Sequence, residues 1–93
     1  MKTYIFHADS GHAWLAVKRA ELIRLNILEK ITNYSYQRGA TVYLEEDCDA
    51  GIFIKAKKAY GEMVNIEEKY SDKRSNIRHY DFFSSKTSWQ KEF

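Results

Sequence analysis

Thr41-Val42-Tyr43-Leu44-Glu45-Glu46-Asp47-Cys48-Asp49-Ala50-Gly51-Ile52-Phe53-Ile54-Lys55-Ala56-Lys57-Lys58-Ala59-Tyr60-Gly61 contains a change of hydrophobic period, and the fold follows from it. Thr41 to Glu45 alternates as a strand does, with Val42 and Leu44 on one face. Further on, Ile52, Phe53, Ala56, Ala59 and Tyr60 recur at helical spacing. Asp47 or Asp49 is expected to cap this helix, its carboxylate accepting from a free amide at the positive end of the dipole. Lys55, Lys57 and Lys58 lie toward the other end, where cations are favoured. Gly61 is the expected left-handed residue just past the helix.

Upstream, Tyr4 to His7 and His12 to Val17 read as two strands of a hairpin, joined through the turn residues Asp9-Ser10-Gly11. Leu15 and Val17 share one face, Trp14 and Ala16 the other. Lys18 to about Leu28 reads as a first helix, carrying Leu22, Ile23 and Leu25. Its start is weak, because Lys18 and Arg19 put positive charge at the positive end of the dipole. Asn26 is a plausible stop, with Ile27 and Ile31 packing as a connector. Tyr34 to Gly39 reads as a loop.

Downstream, Glu62 to Tyr70 reads as a strand, with Val64, Ile66 and Tyr70 on one face and Asn65, Glu67 and Lys69 on the other. Ser71 to Asn76 is a polar turn, and Ile77 to Phe83 a short strand or one helical turn. The expected fold is a single small α+β domain over residues 1–83. It is a two-layer ββαβαβ arrangement with a mostly antiparallel sheet and two helices on one face. Residues 84–93, with Trp89 and Phe93, read as a polar tail that frays unless its rings dock.

Composition bounds the function. The 93 residues are 44% hydrophobic and 30% charged, which fits one globular domain. No apolar run is long enough to span a membrane, and the N-terminal apolar stretch is too short for a signal peptide. A single cysteine excludes an internal disulfide and a Cys-rich zinc site, so the chain is expected in the cytoplasm. The net charge of +2 is too small for a global field to draw nucleic acid. Basic and acidic residues number six and six in 1–47, but nine and seven in 48–93. Local patches therefore carry any electrostatic argument. The phosphate-loop, dinucleotide and zinc-protease signatures are all missing.

Four groups of residues have chemical potential. His7, Asp9 and His12 place two imidazoles and a carboxylate within six residues, a set that suits a divalent metal or acid–base work. The competing explanation is ordinary turn chemistry. Glu45, Glu46, Asp47 and Asp49 form an acidic cluster fit for a cation or a basic partner surface, or simply for a helix start. Cys48, among these carboxylates, lacks the positive surroundings that activate a thiol and is expected to be buried and inert. Lys69, Lys73, Arg74, Arg78 and Tyr80 interleave cations with rings, as phosphate and base contacts do. Tyr36, with Tyr34 and Tyr43, supplies amphipathic rings of the kind that anchor interfaces.

Three stretches resemble a family of small uncharacterised proteins from bacteria and their phages. They are His7-x-Asp9-x-Gly11-His12-x-Trp14-Leu15-x-Val17, Tyr34-Ser35-Tyr36-x-x-Gly39-x-x-Val42-Tyr43-Leu44-Glu45-Glu46-Asp47-Cys48-Asp49-Ala50, and Ser75-x-Ile77-Arg78-x-Tyr80. Together they cover much of residues 7–80. The resemblance implies no activity or cofactor. Similar proteins often carry Pro where this chain has Lys18 and Gly where it has Asn26, which weakens the boundaries of the first helix.

The expected function is that of a small non-enzymatic binding protein, a phage or mobile-element accessory factor that binds and inhibits a host protein. Tyr36, Glu45, Glu46, Asp47, Arg78 and Tyr80 are the expected binding residues. No cofactor is expected, and a homo-oligomer is an open possibility. The alternatives are a nucleic-acid or nucleotide-phosphate binder, and a small metal-dependent hydrolase using His7, Asp9 and His12 with Glu45 or Glu46.

Overall fold

The computed structural model describes residues 2–86. Its elements are β1 (Thr3–Ala8), β2 (Ala13–Lys18), α1 (Arg19–Arg24), β3 (Tyr36–Arg38), β4 (Thr41–Glu45), α2 (Asp49–Ala59), β5 (Asn65–Tyr70) and β6 (Asp81–Phe82), with single 3-10 turns at Leu28–Lys30 and Asn76–His79. The strands form one six-stranded sheet in the order β5-β1-β2-β4-β3-β6. Every pairing is antiparallel except that of β1 with β5. The fold is thus the α+β domain expected, with both helices contributing to one core.

Strand alternation sorts side chains onto two faces. Leu15 opposes Leu44 and Val17 opposes Val42, and these pack with Tyr4 of β1, Leu22 of α1 and Phe53 of α2. The α2 stripe is buried at Phe53, partly buried at Ile52 and Ala56, and exposed at Ala59 and Tyr60. Gly61 adopts φ +74 past the helix, the expected stop.

α1 is shorter than its apolar pattern suggests. It ends at Arg24, and Asn26 turns the chain at φ 58. A branched side chain in that conformation costs about 1–2 kcal/mol. Asn26→Val is expected to lower unfolding free energy by about that amount in urea titrations, whereas Asn26→Gly is expected to be tolerated.

Two local expectations are corrected. The 34–39 segment is not all loop: Tyr36–Arg38 pairs with both β4 and β6. Neither Asp47 nor Asp49 caps α2. Cys48 holds the N-cap position without a side-chain bond, and the Asp49 carboxyl turns back to Thr32 and Ser35. Lys57 stands in the last turn of α2, as expected, but is not in solvent. It is only 6% exposed, held by Glu62 at 2.8 Å with Glu21 nearby.

The segment 71–80 runs from β5 at one edge to β6 at the other. It crosses the sheet face opposite the helices, where Arg78 lies over Trp14 and Tyr80 packs on Tyr43. Ile77 is buried there, outside the main core cluster. At the β6 end, the Arg19 guanidinium donates to the Ser84 and Ser85 carbonyls. Trp89 and Phe93 of the expected tail lie outside the described residues. Among the described residues, no helix is long and apolar enough to cross a membrane.

Candidate functional site: an aromatic and acidic cleft

Where the crossing segment meets the strand ends, a cleft of about 390 Å³ opens. His12, Trp14, Tyr34, Tyr36, Glu45, Asp47, Cys48 and Arg78 line it. Trp14 is its floor: only 3% exposed, it sits on the sheet face opposite Leu15. The Tyr36 ring meets it edge-on at 6.1 Å, and Tyr36 stacks in turn on Phe82 at 5.5 Å. Tyr34, 68% exposed, forms part of the wall.

Arg78 is fixed by Asp9. Its Nε and Nη2 donate to the two carboxylate oxygens at 2.8 and 2.9 Å, and its guanidinium carbon lies 5.3 Å from the Trp14 ring centre. Asp9 also accepts from the amides of Gly11, His12 and Ser75. The Arg78 guanidinium, then the Ser75 amide, hold the Asp9 carboxyl well below the usual carboxylate range. The packing is close: a Cβ added to Gly11 would stand 2.9 Å from Arg78 Nη2.

The acidic side of the cleft has a different construction. Glu45 accepts from the Asp47 and Cys48 amides at 2.7 and 3.0 Å, shaping the turn before α2. Asp47 makes no side-chain hydrogen bond or ion pair among the described residues. With Arg78 neutralised by Asp9, the remaining charge facing the cleft is negative, from Glu45 and Asp47.

The walls are held from behind by Asp49, which is fully buried. Its Oδ2 accepts from Thr32 N, Thr32 Oγ1 and Ser35 Oγ. Ser35 Oγ accepts from Glu45 N, and the Ser35 carbonyl accepts from Phe83 N. One carboxyl group therefore ties the Tyr34–Tyr36 wall to the acidic turn.

Of the expected binding residues, Tyr36, Glu45, Asp47 and Arg78 converge here. Glu46 lines a neighbouring depression with His12 and Glu68, and Tyr80 lines another with Arg38 and Asp81. Cys48 is exposed, contrary to expectation, because it ends the turn on its cleft side. The sequence pattern marks Trp14 only as a strand residue. The available signal was a tryptophan on the strand face opposite Leu15 and Val17.

His7, Asp9 and His12 do not assemble a metal site. Asp9 is committed to Arg78, His7 packs against Tyr43 at 6.1 Å and His12 lies against Trp14 at 5.9 Å. Among the described residues, no group of three His, Cys, Asp or Glu side chains is placed to hold an ion.

Depressed carboxyl groups link stability to acid. Arg24, then Lys57, hold Glu62 down to about 2 from an ordinary 4.5, and Asp9 is depressed as well. Their contribution is complete above the ordinary carboxylate range and is lost as pH falls through the depressed values. Unfolding followed by circular dichroism is expected to show stability falling below about pH 4.5, with Asp9→Asn flattening the slope. An unchanged slope in that variant would remove Asp9 from the account.

Comparison with protein-family models, curated proteins and solved structures found no match.

Proposed function

We propose that this chain is a small non-enzymatic binding protein whose cleft receives a basic side chain of a protein partner. The observation that carries the reading is the combination of Trp14, Tyr34 and Tyr36 with the Glu45 and Asp47 carboxylates around one cleft. Ring faces attract cations, and carboxylates add charge and hydrogen-bond acceptors. The cleft volume, about 390 Å³, lies within the range of small ligand sites. A buried ring surrounded by polar residues is also the usual composition of an interface anchor.

The resemblance to bacterial and phage proteins directs the search for a partner to host proteins of the cytoplasm, with inhibition as the outcome. The test is affinity capture from a bacterial lysate using the native chain and two variants. A specific partner is expected to be retained by the native chain and by Lys55→Ala, and lost with Asp47→Lys. A partner retained equally by all three would overturn the assignment to this cleft.

A second reading has one observation in its favour. Lys69, Lys73 and Arg74 line a separate depression of about 370 Å³ together with His7, Ser71 and Ser75. Burial, and then Lys69, lower the His7 pKa. Three cations beside two hydroxyl groups suit an anion such as a nucleotide phosphate. Arg78, expected to join this group, is instead paired with Asp9. Binding of nucleotides here would weaken steeply with salt; titrations showing no binding at low salt would remove it.

A further inference from the structure

β5 is an outer strand, paired on one side with β1 and exposed at every residue. Met63, Ile66 and Tyr70 are 72%, 39% and 58% exposed, an apolar series at the edge of the sheet. The Ser71 amide donates to the Ala8 carbonyl at 3.0 Å, which sets the phase of the ladder. Alternate residues of a strand in a parallel pair turn both backbone groups to the same side. Asn65, Glu67 and Lys69 therefore address β1, and the amides and carbonyls of Ile66, Glu68 and Tyr70 point outward. Among the described residues, no strand pairs with that edge.

We propose that β5 pairs antiparallel with β5 of a second copy, about a two-fold axis at Glu68, joining the two sheets into one. The two-fold stands perpendicular to the sheet and keeps corresponding faces on the same side. Paired positions must then be both even or both odd. With the axis at Glu67, Ile66 faces Glu68. With the axis at Lys69, Lys69 faces its own copy and Glu68 faces Tyr70. With the axis at Glu68, Ile66 faces Tyr70 and Glu67 faces Lys69, each pair formed twice. Among these three, only the last register brings opposite charges together.

The phase is common to all three registers, and it gives the charge pairing its weight. Glu67 and Lys69 fall at non-hydrogen-bonded positions of the new pairing, where side chains approach most closely. Neither has an ion-pair partner within the chain among the described residues. Ile66, Glu68 and Tyr70 supply the backbone bonds, and the Ile66–Tyr70 pairs cover exposed apolar surface. Glu68 facing Glu68 is the repulsive contact, and it keeps the association weak and concentration-dependent. The charges on this edge thus permit one pairing while discouraging shifted ones.

Sedimentation equilibrium tests this with the whole chain, each variant first checked for native circular dichroism. The native chain is expected to be half dimeric at roughly 0.1 mM, a weak association. Glu67→Lys should be monomeric, and Glu67→Lys with Lys69→Glu should restore the dimer. Glu68→Gln should tighten it by roughly threefold to fivefold. A native chain that stays monomeric to about 1 mM, tenfold above that midpoint, overturns the proposal. So does a double variant no more dimeric than the single one, and so does a dimer indifferent to Glu67→Lys.

Discussion

Replacing Asp49 with alanine is expected to lower the unfolding free energy by about 3–4 kcal/mol, and to loosen the cleft as it does so. The alanine removes the acceptor for Thr32 N, Thr32 Oγ1 and Ser35 Oγ. Ser35 is fully buried, so its hydroxyl has no water to turn to. A domain of this size has roughly 5–15 kcal/mol in total, so the loss is a large fraction. Asp49 Oδ1, by contrast, is buried without a partner among the described residues. Asp49→Asn keeps one oxygen for the three donors and is expected to lose no more than about 1–2 kcal/mol. Urea unfolding of both variants checks this. Equal losses would show that the three bonds are not what Asp49 contributes.

Phe53→Ala should be at least as damaging, at about 3–5 kcal/mol. Phe53 is fully buried and meets the Tyr4 ring edge-on at 5.1 Å. Tyr4 in turn donates to Glu21 and lies under the Lys57 ammonium, 5.2 Å from its ring centre. Truncation therefore opens a cavity beneath a buried polar group, where collapse is hindered. Phe53→Leu fills most of that volume and is expected to lose less than about 1.5 kcal/mol. The two midpoints in urea give the comparison. A Phe53→Ala loss below about 1 kcal/mol would mean that the helix–sheet layer is not the principal core.

The parts of this fold that could be read from sequence are those decided locally. α2, the β1–β2 hairpin, the left-handed Asn26 and the Gly61 stop each depend on neighbours a few residues away. β3 does not: Tyr36–Arg38 is short and polar, and it is a strand only because β4 and β6 lie on either side. Lys57 likewise has the sequence position of a surface cation, but Glu62 and Glu21 make its burial tolerable.

The cleft was legible in its residue types and illegible in its assembly. Tyr36, Glu45, Asp47 and Arg78 stood out because rings, carboxylates and guanidinium are interface chemistry. Arg78 also looked like one cation among several in a basic stretch. Its partner Asp9 stands 69 positions away in the chain, and that pairing leaves the Glu45 and Asp47 carboxylates of the cleft without a counter-charge. Trp14 is illegible as a cleft floor for a related reason. Whether a side chain on the second sheet face is covered or open depends on the path of residues 71–80, which no local pattern specifies.

The proposed function requires that the aromatic and acidic cleft select a basic side chain. Its most direct test is a nuclear magnetic resonance titration of the native chain with three capped tripeptides, Gly-Arg-Gly, Gly-Lys-Gly and Gly-Glu-Gly. The arginine and lysine peptides are expected to shift the Trp14 indole signal and the Asp47 and Cys48 amides, with saturation weakened roughly fivefold in Asp47→Asn. The glutamate peptide should leave those signals in place. Shifts at Trp14 with the glutamate peptide alone, or none with either basic peptide, would rule that selection out.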